Sequence, residues 1–325
     1  MRYCTPAFMS TSLERSWDES SVDEISAAAR EANDLAMRAK EDATARGQIE
    51  RLLYVIHAST GFCIPVQGVA AAVWNTLARA KLARELQPLF DRAPKVSFAK
   101  FRDRYLAELR AVDERDHTFF KAAAAESDIR PLRLYAKNWY SSTHGFTHQI
   151  AATTHRCLSS RKHWHLAKTF IENLSEEYEG TPHTILRRRW VDELGIEYTP
   201  ASAIDDAEQC TEAFALQNYR TIVASLPDPL YGVGSLLSIE GVFVGVCKQL
   251  HPLLKGRGFK DDVISMFKLH GEADEDHVRE LLDAIEASEL GPNEIARVAA
   301  GAFTQLHLRS HMFDAIRRAA GLPRS

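Results

Sequence analysis

Cysteine is scarce in this chain: five in 325 residues, none in a C-x-x-C pair. That excludes a zinc ribbon or a disulfide framework and suits a reducing compartment, so the expected location is the cytoplasm. Glycine (16) and proline (12) are too few for a turn-rich β-sandwich or propeller. The net charge is −4, so there is no positive excess to draw nucleic acid or anionic lipid. The apolar window from Leu52 to Trp74 is interrupted by His57, Ser59, Thr60, Pro65 and Gln67, and no membrane span is expected from it. The opening stretch from Met1 to Trp17 has no sustained apolar segment, and no secretory leader is expected. Nucleotide-binding glycine loops, H-E-x-x-H and G-x-S-x-G are all missing.

What is present is helix-forming sequence almost throughout. Ser21 and Glu24 form a capping-box pattern ahead of an Ala-, Glu- and Arg-rich stretch. Apolar spacings of three and four predict further helices over 47–57, 69–86, from 97, 131–150, 162–178, 183–194, 207–225, 230–250, 258–268, 274–287 and 293–319. Alternating strand runs are no longer than four or five residues, and no fixed-period repeat is present. The expected class is therefore all-α. Pro88 and Pro94 mark the best break, dividing an N-terminal helical extension (1–95) from a helical bundle (96–325).

The chemistry-bearing residues are carboxylates and imidazoles on helices, the material of a bundle metal site. At 100° per residue, His270 lies about 40° from Asp274 and about 20° from His277, so three ligand types share one stripe. The bland alternative is a solvated acidic face. Glu176 and His183 are seven apart across a Gly180–Pro182 break, and Glu172 and Glu179 are rivals to Glu176. Glu240 stands alone in the apolar run Leu236–Val246; a buried carboxylate there needs a partner or a metal. Imidazole and carboxylate together suit iron, manganese or zinc.

The order E-x6-H, then a lone Glu in an apolar helix, then H-x3-D-x2-H resembles the haem-oxygenase-like di-iron oxidases and oxygenases, relatives of TenA and PqqC-like proteins. Asn173-Leu-Ser-Glu176-Glu is similar to the N-L-x-E-E turn of that family. Asp116-His-Thr-Phe-Phe and Asn138-Trp139-Tyr140 resemble its opening helices. The resemblance covers roughly 97–290. It implies a haem-oxygenase-like bundle and two Fe(II) held by Glu176, His183, Glu240, His270, Asp274 and His277, with O2 as co-substrate. It also implies oxidation of a small molecule such as an aliphatic amino acid, by desaturation, fragmentation or azetidine formation, in specialised metabolism.

A zwitterionic substrate needs a cation for its carboxylate; Lys137, Arg187 and Arg188 are candidates, with His148 as a pocket residue. The pairs His144/His148 and His307/His311, each i,i+4, lack a third ligand. A homodimer is expected, with no nucleic-acid or membrane partner. The alternatives are fatty-acid or amine oxidation at the same site, a PqqC-like cofactor-free oxidase, and a non-catalytic helical interaction protein.

Overall fold

The computed structural model describes residues 21–59, 68–179, 181–199, 203 and 206–323, without the side chains of 59 and 272–274. Its elements are all helical: α1 (Val22–Arg38), α2 (Ala43–Ser59), α3 (Gly68–Lys81, prolonged by a π-helical turn at Leu82–Leu86), α4 (Phe98–Ala125), α5 (Arg130–Thr143), α6 (Phe146–Cys157), α7 (Trp164–Glu176), α8 (His183–Glu193), α9 (Thr211–Ser225), α10 (Leu230–Gly256), α11 (Asp261–Ala287) and α12 (Pro292–Ala319). The all-α expectation holds, with no strand among the described residues. The Ser21–Glu24 capping box is formed: the Glu24 N–H donates to Ser21 Oγ and the Ser21 N–H to Glu24 Oε2.

α10 is the central helix, packed against α12, α11 and α4. Among the described residues it is the one helix long and apolar enough to cross a membrane, and most of it is buried inside the fold. This corrects the emphasis placed on the 52–74 window. All-round apolarity is what a helix surrounded by others requires. Close approach to α12 depends on two glycines. A Cβ on Gly234 would lie 1.9 Å from the Val298 carbonyl oxygen, and one on Gly301 would lie 2.1 Å from that of Tyr231.

Two boundaries differ from the sequence reading. The 131–150 segment is two helices meeting at Gly145. The hydroxyls of Ser142 and Thr143 both donate back to the Trp139 carbonyl, a competition that weakens helix continuation. His144 consequently lies just past the end of α5, and His148 on α6. Conversely, the two expected helices at 258–268 and 274–287 are joined in one, α11, which starts at Asp261 and runs through Gly271. The glycine costs about 1 kcal/mol in a helix interior. A Cβ there would lie 3.6 Å from Cys247 Cβ on α10, and α10 and α11 pack along much of their length, which outweighs that loss.

The N-terminal helices are tied to the rest by buried polar contacts. Asn218 Nδ2 on α9 donates to the carbonyl and to Oε2 of Glu50 on α2, both at 2.8 Å. Arg51 Nη2 reaches the Gln209 carbonyl at 3.2 Å.

Candidate metal centre

Glu177 follows the last residue of α7, His183 opens α8, and His270 lies mid-way along α11. One ligand atom from each lies within 4.8 Å of the others, so these three converge as a group able to hold a metal ion. His183 Nδ1 is 3.1 Å from Glu177 Oε1. The His183 and His270 rings sit edge to face at 4.5 Å between centroids. The chain returns on itself here because the His183 N–H donates to the Glu177 carbonyl at 3.1 Å.

Glu177 is only 4% exposed. Its Oε2 accepts from Arg187 Nη2 at 2.8 Å. Burial alone would raise its pKa, but Arg187 together with His183 and His270 brings it down to about 2. The carboxylate is therefore ionised and ready to act as a ligand at neutral pH.

Three of the remaining expected ligands lie next to one another beside this group. His277 Nε2 lies 2.6 Å from Glu176 Oε2, and His277 Nδ1 lies 3.5 Å from Glu240 Oε2. Glu240, buried in the apolar α10, also accepts from Asn173 Nδ2 at 3.2 Å. His277 thus stands between two carboxylates. Asp274 lies on α11 between His270 and His277, and its side chain is outside the described residues.

Glu177 is a candidate ligand that sequence reasoning did not name. Helical phase carries the signal. Leu166, Phe170, Asn173 and Glu177 span roughly 60° of one face, and Glu176 lies about 90° from its centre. Leu166, Phe170 and Asn173 are buried, and Glu176 is 48% exposed at its side chain.

A narrow cavity of about 40 Å³ adjoins the site. Glu240 and His270 line it, and its walls are otherwise mainly aromatic and aliphatic, among them Trp139, Ile239, Phe243 and Phe313. Three arginines also face it: Arg187, Arg220 and Arg309. Of the expected substrate contacts, Arg187 is therefore on the cavity wall. Lys137 is not; its ammonium is held by Asp206 at 2.8 Å and Glu208 at 2.7 Å. His148 is exposed on α6 and does not line the cavity either. Arg188 turns to Asp192 and the Tyr198 carbonyl. The His307 and His311 rings lie 4.2 Å apart on the exposed side of α12.

Arg309 makes a bidentate pair with Asp116 at 3.0 and 2.5 Å. Arg220 is 3% exposed; burial and the nearby Arg309 pull its guanidinium down to about 9, still protonated at neutral pH. Arg187 and Arg220 each donate to a carbonyl at the C-terminal end of α5, Thr143 and Ser142 respectively. Those carbonyls lack helical partners and carry the negative end of the helix dipole.

Residues 133–310, more than half of the chain, match a family model described as "iron-containing redox enzyme". A similar solved structure is a domain of unknown function with a haem-oxygenase-like fold from Shewanella denitrificans. The TM-score is 0.54 at 12% identity, over 70% of this chain and 94% of that one. At that identity the likeness speaks for the helical fold. No curated protein matches the chain.

Proposed function

The chain belongs to the iron-containing redox enzyme family and has its haem-oxygenase-like fold, and from that premise we propose that it is an O2-dependent non-haem di-iron oxidase of a small aliphatic substrate. The observation that carries the reading is the Glu177–His183–His270 group, with Glu177 and His270 buried and His183 half-buried, at the wall of a mostly apolar cavity. One carboxylate and two imidazoles are a donor set suited to ferrous iron. They would hold the first ion. Glu176, Glu240 and His277, with Asp274 on the same helix, supply the donors for a second. The chemistry that bound iron supplies is activation of O2 for C–H oxidation.

The chain's own residues do the rest. Arg187 holds Glu177 in its ligating orientation, and Asn173 does the same for Glu240. The Trp139, Phe243 and Phe313 walls exclude water from the reacting carbon. An aliphatic amino acid is the favoured substrate, with desaturation or ring closure as the outcome. Azetidine formation, as in polyoxin biosynthesis, is one such oxidation.

The test is anaerobic Fe(II) titration of the full chain, followed by O2 uptake with a panel of aliphatic amino acids. Two Fe(II) per chain, lost in His270→Ala, together with substrate-stimulated O2 consumption, support the reading. One Fe(II) per chain refutes the di-iron part. No specific uptake refutes the whole.

A further inference from the structure

Of the three arginines on the cavity wall, two are held by carboxylates and one is not. Arg187 is balanced by Glu177 at 2.8 Å and Arg309 by Asp116 at 3.0 and 2.5 Å. Arg220 has no carboxylate partner among the described residues. Its Nε donates to Gln305 Oε1 at 3.2 Å and its Nη1 to the Ser142 carbonyl, both neutral acceptors. The end of α5 offsets part of its charge, about half a unit at most. The two other arginines on the wall add to the positive potential that Arg220 experiences.

Taking an unbalanced guanidinium out of water is costly. A fold tolerates it best where a bound anion completes the balance. The surrounding wall describes the rest of that ligand. Trp139, Ile239, Phe243 and Phe313 offer apolar contact. The carbonyls of Ser142 and Thr143 already accept from Arg220 and Arg187.

We propose that Arg220 binds the carboxylate of the substrate, and that the substrate is a small monocarboxylate with an apolar body lying in the cavity that Glu240 and His270 line. This rests on reading that cavity as the substrate site of the proposed oxidase. The planar fork of Arg suits a carboxylate, which two parallel N–H donors hold in one orientation. A ligand with two negative charges would bring the second one onto a wall that already carries the Glu240 carboxylate. A ligand with none would leave Arg220 as it is.

The test measures equilibrium binding by calorimetry to the full-length, metal-free protein, so that iron cannot hold the carboxylate instead. The probes are L-leucine, 4-methylpentanoate and straight-chain acids of four to ten carbons, each against its amide. The acids are expected to bind, with their amides about 10- to 100-fold weaker, the range for losing a charge-assisted hydrogen-bonded pair. Arg220→Gln should weaken the acids by a similar factor and leave the amides unchanged, and Arg220→Lys should recover part of the loss. Fe(II) uptake by Arg220→Gln should equal that of the wild type.

L-leucine and 4-methylpentanoate binding alike would assign recognition to the carboxylate alone. Leucine binding more tightly than 4-methylpentanoate would add an ammonium contact to it. Amides binding within threefold of their acids would overturn the proposal, as would wild-type affinity in a folded Arg220→Gln variant or no binding by any acid. If Arg220→Gln does not fold, the acid-to-amide ratio in the wild type decides. That ratio is independent of iron uptake, so the proposal and the di-iron reading can fail separately.

Discussion

Replacing Glu177 by Gln is the sharpest test of how this site is built. The substitution keeps the volume and removes only the charge. It leaves Arg187, itself buried, with only neutral acceptors, the Gln side-chain oxygen and the Thr143 carbonyl. Breaking a buried pair from one side costs about 3–5 kcal/mol, because the surviving charge is left without its counter-ion. Glu176→Gln touches a half-exposed carboxylate bonded to His277; that loss should stay below about 1 kcal/mol. Urea unfolding of the metal-free protein at neutral pH, followed by circular dichroism, reads both. The double variant Glu177→Gln/Arg187→Met should recover most of the loss, since removing a whole buried pair is often close to neutral. The pH dependence has a definite sign. The folded-state pKa of Glu177, about 2, lies below its ordinary 4.5. Its stabilisation is therefore complete above 4.5 and is lost as pH falls toward 2, so the wild type and Glu177→Gln should converge in that window. A Glu177→Gln protein within 1 kcal/mol of wild type, or a double variant no more stable than the single one, would refute the pairing argument.

Two further outcomes follow from the packing. Gly234→Ala places a methyl 1.9 Å from the Val298 carbonyl oxygen; backbone cannot move aside as a side chain can, so the loss should reach or exceed about 3 kcal/mol. Gly256→Ala, in the same helix but with nothing within 4 Å of the new carbon, should leave the Tm unchanged or slightly raised, and thermal unfolding of the two compares them directly. His57 gives an acid-side prediction. Burial lowers its pKa to about 3, and it accepts a hydrogen bond from Trp74 Nε1, which requires a neutral ring. The unfolded chain takes up this proton near 6.5 and the folded chain does not, so stability should decline as pH falls from 6.5 toward 3. Denaturant unfolding across that range checks it, and His57→Gln should flatten the slope; an unchanged slope would assign the acid sensitivity elsewhere.

Much of this protein could be read from the sequence because helix formation is local. The 3–4 spacing of apolar residues and the Ser21–Glu24 box set most helices and one of their starts. Helix α11 shows the limit of that reading. Gly271 looks like a break when only propensity is weighed, and it is bridged because α10 packs against the helix on both sides of it. The break at Gly145 was equally hidden, since it depends on the Ser142 and Thr143 hydroxyls turning back to Trp139 and on two distant arginines taking up the helix-end carbonyls.

The same division runs through the site. Residue type and spacing alone marked His183, Glu240, His270 and His277 as unusual, because imidazoles and a lone carboxylate on apolar helices have few cheap structural roles. Helical phase, had it been applied to α7, would have preferred Glu177 over the expected Glu176 for its buried face. The arginines are different. Arg187 pairs with Glu177 ten residues away, and Arg309 with Asp116 at a separation of 193. Which guanidinium is left without a carboxylate is a property of the completed set of pairs. Local sequence determined the helices and the kinds of ligand they carry. Tertiary structure decided which charges meet, because electrostatic pairing in a buried site depends on distance through space and not on distance along the chain.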